Sequence, residues 1–355
     1  MGLPEALWFP RCRTSPFSVG VTGMLVPETY QAALLLMLVS MLCWGSWANT
    51  LKLCPGYRFQ LFYWDYAIGV LLGAMFLGLT AGSHGATGNS FLTDVIESPL
   101  ASIKMAALGG VVFNIANLLL VAAIDVAGLA VAFPVGIGLA LIVGSVWSYI
   151  VAPKANPILL FGGVALVTVA IVLDAAAYRK REKAAKAATT LGIVLSLVAG
   201  LLMGSFYPLV ARAMQGEHGN LGPGPYAIAL FFAFGVLLST FPANWLLMLK
   251  PLDGKPRVHG ADYWIALWRW HFAGILGGAI WCVGAVTNFL GSGAHKVGPA
   301  VSYSIGQGAT MVSAAWGVFV WHEFAGAPPI ARKLLTLMFA FFLLGLGAIA
   351  LAPLY

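Results

Sequence analysis

Apolar residues run almost unbroken through ten stretches, 31–51, 61–81, 102–123, 128–150, 157–177, 189–212, 225–249, 270–291, 298–320 and 333–353, while polar residues collect between them. About 20 apolar residues cross a bilayer as a helix. The pattern therefore predicts an all-α membrane protein with ten transmembrane helices. Only the connections 82–101 and 250–269 are long, and no separate soluble domain is expected. Residues 1–27 carry Pro4, Pro10, Arg11, Arg13 and Pro16 and no apolar run long enough for a signal sequence. They are expected to form a disordered tail, with Met24 as a second candidate for the first residue.

The fourth and ninth stretches open alike. GLAVAFPVGIG (128–138) and GPAVSYSIGQG (298–308) share five of eleven residues. Three shorter matches accompany them: GSW at Gly45 with GSF at Gly204, YAI at Tyr66 with YAI at Tyr226, and LGG at Leu108 with LGG at Leu276. The separations in chain order are 159, 160, 168 and 170 residues, and the largest step falls across the long 250–269 connection. This predicts two five-helix repeats, 28–181 and 182–355. Five is odd, so the second copy enters the membrane from the opposite face. Inverted repeats of this kind recur in secondary transporters.

Composition agrees with a bilayer as the solvent: 60% hydrophobic, 9% charged, mean hydropathy +0.90. A soluble domain carries about 25% charged residues. The net charge of +7 does not point to nucleic acid, because the basic residues sit in the connections. Six fall on one side: Arg11, Arg13, Lys104, Lys154, Arg212 and Lys296. Thirteen fall on the other, with YRKREKAAK (178–186) the densest cluster. The positive-inside rule puts the thirteen in the cytoplasm and both termini outside. Cys12, Cys43, Cys54 and Cys282 have neither metal spacing nor disulfide density.

Polar side chains inside apolar stretches are the candidate chemistry, since hydrocarbon penalises them unless they are paired. Asn114 and Asn117 lie three apart; Tyr303, Gln307 and Thr310 share one helical face; Trp281 and Asn288 are seven apart; Trp44 sits within the first stretch. Amides that hydrogen-bond hydroxyls and aromatic faces that stack on ring carbons suit a sugar-like solute. Asn114, Asn117, Tyr303, Gln307, Trp281, Asn288 and Trp44 are thus the candidate solute-binding residues, expected around one central cavity. The amides could equally serve as glue between helices. Asp65, between Trp64 and Tyr66, is the candidate proton-coupling group, with a structural partner for a helix N-terminus as the alternative.

The stretch ALGGVVFNIANLLLVAAIDVAGLAVAFPVGIG (107–138) resembles the third and fourth helices of the drug/metabolite transporter superfamily. FYWDYAIG (62–69) and AAWGVFVWHEFAGAP (314–328) resemble its branch of glucose/ribose porters, rhamnose–proton symporters and ureide permeases. The resemblance covers roughly 28–350 and implies ten helices with termini outside. KAAKAATTLG (183–192) lacks the phosphate-binding glycine spacing reported for some ureide permeases. The expected function is secondary active transport of a small polar metabolite, a sugar first, by alternating access coupled to protons. The alternatives are a ureide or nucleobase permease and an exporter of drugs or amphipathic metabolites. No enzyme activity, cofactor, metal or nucleic acid is expected. The expected partners are the solute, protons and lipid, the expected place the inner (cell) membrane of a bacterium, and the expected state a monomer or homodimer.

Overall fold

The computed structural model describes residues 23–181, 189–215, 222–252, 255–294 and 297–355. In hydrocarbon every backbone N–H and C=O must be satisfied within the chain, and the helix does this segment by segment. The described residues form α1 (Tyr30–Ser46), α2 (Asn49–Lys52), α3 (Phe59–Leu79), α4 (Phe91–Glu97), α5 (Leu100–Ala127), α6 (Leu129–Val151) and α7 (Pro157–Arg181). They continue with α8 (Thr190–Met214), α9 (Pro225–Leu249), α10 (Ala261–Trp264), α11 (Trp268–Gly293), α12 (Gly298–Gly306), α13 (Ala309–Ala315) and α14 (Pro329–Leu351). Nine helical spans among the described residues are long and apolar enough to cross a membrane, counting α1 and α2 as one. The protein is a multi-pass, all-α membrane protein.

The ninth apolar stretch, expected as one helix, is broken. It runs as α12, an interruption at Gln307 and Gly308, α13, and a π turn over Trp316–Val320. The interruption closes with short bonds, Gly308 N to Ile305 O at 2.9 Å and Thr310 N to Gln307 O at 3.2 Å. The first stretch is likewise interrupted, at Trp47 and Ala48. Residues 1–22 lie outside the described residues, but Gly23 and Met24 bridge Gly85 and Thr87, and Tyr226 donates to Leu25 O at 2.9 Å. Of the basic cluster 178–186, residues 182–186 lie outside the described residues.

The principal contacts are α3 with α11 and α9, α5 with α9 and α8, α6 with α8, α7 and α12, α7 with α14, and α1 with α11 and α13. Exchanging the first five segments for the last five maps these pairs onto one another, except that α6 packs on α7 far more extensively than α12 packs on α14. The close approaches match atom for atom. A Cβ added at Gly278 would lie 2.0 Å from Tyr66 O, and one at Gly110 would lie 2.0 Å from Phe232 O. Gly69 meets Ile275 O at 2.1 Å, and Gly235 meets Ala107 O at 2.0 Å. Gly45 meets Val312 and Ala309 O as Gly204 meets Val143 and Ala140 O. Gly128 and Gly298, which open the duplicated stretch, both take positive φ, +81° and +75°, a conformation that costs a side-chain-bearing residue dearly. The YAI match is different. Tyr66 is equivalent in packing to Phe232, six residues beyond Tyr226, so that triplet is out of register.

Gly278 therefore cannot accept even a methyl without moving a backbone, whereas a Cβ at Gly162 meets nothing within 4 Å. Gly278→Ala should lower stability by about 1–3 kcal/mol through overpacking. Gly162→Ala should hold or raise it, since alanine is the better helix former by about 1 kcal/mol. Thermal melting of the two variants in detergent checks the contrast.

Candidate functional site

A cavity of about 660 Å³ lies between the halves. Its deep end is formed at the middle of the spanning segments by Phe113, Met203, Phe206, Trp281 and Gly306. Its mouth is formed by Leu51, Tyr57, Arg58, Asp125 and Lys255. All of these mouth residues lie on the side that holds the thirteen basic residues. Both interrupted stretches contribute walls: Trp44, Trp47 and Ala48 from one, Gln307, Thr310 and Ser313 from the other. Non-helical backbone at membrane depth is tolerated where it borders such a cavity.

The walls are mainly aromatic. Trp44 stacks on Trp281 at 5.9 Å between ring centres, and Phe113 packs on Trp281 at 4.3 Å. The polar groups of the inner wall are few: Asn117, Gln307, Thr310 and Ser313. Of the seven candidate solute-binding residues, Asn117, Gln307, Trp281 and Trp44 line the cavity.

Asn114, Tyr303 and Asn288 do not line it. Each is fully buried in a helix seam. Tyr63 donates to Asn114 Oδ1 at 2.9 Å, and Asn114 Nδ2 donates to Ser239 at 2.9 Å, tying α5 to α3 and α9. Tyr303 donates to Ala140 O at 3.0 Å. Asn288 Nδ2 donates to Ser40 and to Ser302 O, both at 3.0 Å, and its oxygen accepts from Tyr207. Ser145 and Ser304 pair at 2.7 Å nearby. These bonds join α1, α6, α8, α11 and α12 beyond the deep end of the cavity, on the side away from its mouth. They form a seal. A spacing of three or four residues fixes a helical face but does not say which neighbour that face meets.

Asp65, 1% exposed, sits one side chain behind the cavity wall. Tyr263 donates to Oδ1 at 2.6 Å, Tyr57 donates to Oδ2 at 3.2 Å, and His271 Nδ1 lies 2.9 Å from Oδ2. Gly274, whose Cβ would lie 2.5 Å from Asp65 Cβ, lets α11 come close enough for this. Burial first, then the Asp65 charge, push the Tyr57 hydroxyl well above its usual range; burial and the bond to Asp65 do the same for Tyr263. Both therefore remain protonated donors. Nothing in the spacing of Tyr57 and Tyr263 marks them, but His271 within an apolar segment is open to the rule that intramembrane ionisable groups serve function.

A second polar cluster braces the ends of α2, α7 and the π turn on the basic side. Lys52 meets Glu323 Oε1 at 2.6 Å, and Arg181 and Tyr178 each meet Oε2 at 3.1 Å. Trp316 donates to Ser46 at 2.8 Å and Trp321 to Asn49 at 2.6 Å. Burial pushes the Glu323 carboxyl up, but the bond to Lys52 and the Lys52, Tyr178 and Arg181 partners together outweigh it, so the group is held below its ordinary value.

The profile of the ureide permease family matches residues 62–188. Ureide permease 2 of Arabidopsis thaliana is 24% identical, over 92% of this chain and 98% of its own length. Ureide permease 1 of Arabidopsis thaliana is 22% identical, over 92% and 97%. A solved structure described only as a crystal structure of protein superposes with a TM-score of 0.60 at 14% identity, covering 89% of this chain and 96% of that one, which speaks to the fold alone. The likeness is to membrane transporters, not to enzymes.

A carboxyl held below its unfolded value stabilises the fold above that value, and the contribution is lost as pH falls through the native value. Wild type should therefore melt above Glu323→Gln at neutral pH. The gap should persist down to the ordinary value of 4.5 and close only below it. Paired melting curves from pH 7 to pH 3 read this out, and a gap unchanged to pH 3 would show that Glu323 is not the group that titrates.

Proposed function

We propose that this chain is a secondary active transporter for a small polar solute of the ureide or nucleobase kind, working by alternating access with its cavity turned here toward the cytoplasm. The observation that carries this reading is an aromatic-walled cavity at the meeting of two interrupted segments, in a chain that is similar to ureide permeases over nearly its whole length. The relatives favour a ureide-type solute over the sugar expected first. Stacked rings and a few fixed amides suit a flat, N–H-bearing ring better than a puckered polyol.

The two halves are read as inverted repeats, 28–181 and 182–355. The matched glycine contacts support this. So does the contact of Phe113 with Trp281, which occupy equivalent positions at the separation of the LGG match. Equivalent residues that touch lie on the axis relating the copies, and this pair lies at the deep end of the cavity. Alternating access then amounts to opening the seal at Asn288, Tyr207 and Tyr303 while closing the mouth.

Asp65 is read as the proton-coupling group. It is buried, faced by Tyr57, Tyr263 and His271, and linked to the cavity through Tyr57. Asp65→Asn in proteoliposomes should abolish accumulation driven by a pH gradient while solute exchange at equal pH continues. Loss of both together, with a normal melting curve, would place Asp65 in binding rather than coupling.

Uptake of labelled allantoin, uracil and D-glucose into proteoliposomes tests the solute class; accumulation of glucose alone would overturn the ureide reading. With the accepted solute, Gln307→Leu keeps bulk but removes hydrogen bonds. It should weaken apparent affinity by about 1–3 kcal/mol, or roughly 5- to 150-fold. An unchanged affinity would remove Gln307 from the site.

A further inference from the structure

The amide of Asn117 is held in one orientation by a relay of hydrogen bonds that begins on a backbone carbonyl. Ser239 donates its single hydroxyl proton to Gly235 O at 2.7 Å. Its oxygen must then accept from Asn114, whose NH₂ lies 2.9 Å away. That orientation turns Asn114 Oδ1 toward α3, where Tyr63 donates to it at 2.9 Å. The Tyr63 proton is now committed, so its oxygen accepts, and Asn117 Nδ2 donates to it at 3.0 Å. Asn117 is left with its carbonyl oxygen turned the other way. Asn117 lines the cavity, and no group among the described residues bonds that oxygen.

We infer that Asn117 is a specificity-determining residue that accepts a hydrogen bond from a ring N–H of the transported solute, and that Ser239, Asn114 and Tyr63 are positioning residues that lock its polarity. The inference rests on the ureide-type reading above and deepens it. A sugar hydroxyl donates or accepts as its surroundings require, so a locked amide would not discriminate among sugars. A planar ureide, imide or lactam has a fixed pattern of N–H and C=O at its rim. Against such a ring a locked acceptor admits N–H and rejects a carbonyl or a methylated nitrogen, because a buried polar group would be left unpaired. Phe113, one turn before Asn117, and Trp281 beneath it supply the flat surface that sets the ring's height.

The test is binding of hydantoin, 1-methylhydantoin and 3-methylhydantoin to the purified full-length protein, read by tryptophan fluorescence, with melting curves for every variant. In wild type, methylation of one ring nitrogen should weaken binding at least about tenfold more than methylation of the other. In Tyr63→Phe the freed amide can turn, so this preference should shrink to about threefold or less, although the cavity keeps its size. Ser239→Ala, two links further back, should act in the same direction and stands in if Tyr63→Phe does not fold. Asn117→Leu should abolish the preference. A preference that persists undiminished in folded Tyr63→Phe and Ser239→Ala overturns the relay while leaving the ureide reading standing. Failure of every hydantoin to bind wild type, with D-glucose binding instead, overturns both.

Discussion

Helices in a bilayer gain nothing from one another by escaping water, because lipid tails are as apolar as leucine. What holds them is closeness, and in this molecule closeness is set by glycine. At Gly69, Gly110, Gly235 and Gly278 a facing carbonyl oxygen occupies the place where a Cβ would stand, within about 2 Å. The polar chemistry follows from those crossings. α5 approaches α9 at Gly110 and Gly235, and this sets Asn114 opposite Ser239 and Thr240. α3 approaches α11 at Gly69, Gly274 and Gly278, and this sets Asp65 against His271. Without the glycines the same polar side chains would face each other across a gap too wide to bond.

The two ends of the cavity are built from different forces. The seal beyond its deep end consists of neutral hydrogen bonds among serine, tyrosine and asparagine. Such bonds between membrane helices average about 0.6 kcal/mol each. A handful of them amounts to a few kcal/mol, a scale on which solute binding can shift a two-state equilibrium. The brace at Glu323 is of another kind. It joins two cations to one carboxylate at the membrane surface and ties α2 to α7, outside the cavity lining.

Much of this was legible in the chain itself. Nine of the ten apolar stretches recur as spanning helices within a few residues, because burial in lipid is a matter of composition and length; the other, 298–320, recurs as the broken run of α12, α13 and the π turn. Gly128 and Gly298 were visible as a repeat because a positive φ leaves few alternatives to glycine. The break at Gln307 and Gly308 was not visible to hydropathy, which reads side chains and not backbone bonds. Asn117 and Gln307 could be placed on the cavity, but Asn114, Tyr303 and Asn288 carry the same polarity at the same spacing and go to seams. What separates the two groups is the partner on another helix, Ser239 for one and Ala140 O for another, and no local pattern records it. The same limit explains why amides pointed first to sugar: which way the Asn117 amide is turned is decided by hydroxyls on other helices, Tyr63 on α3 and Ser239 on α9.

The break also bears on how the two halves, read as copies of one backbone plan, become asymmetric. From Gly128 to Ala140 in the first copy the chain uses one residue more than from Gly298 to Ala309 in the second, where Ala140 and Ala309 occupy matched contacts. A 3₁₀-type turn rises about 2.0 Å per residue against 1.5 Å in an α-helix. The short bonds at Gly308 and Thr310 therefore let fewer residues cover the same depth, and the glycine contacts on either side stay in register. Gln307 sits on that stretched turn, where the first copy has an unbroken helix with Ile137 facing the cavity. Across the pair, Asn117 on one wall is matched by Ala285 in the other copy at the LGG separation. Helix packing is thus shared by both halves, while each polar contact in the cavity belongs to only one. A solute held against Phe113 and Trp281 on the proposed axis would meet an aromatic floor common to both halves and a polar rim that is not, so it could be oriented without tilting the helices out of their common packing.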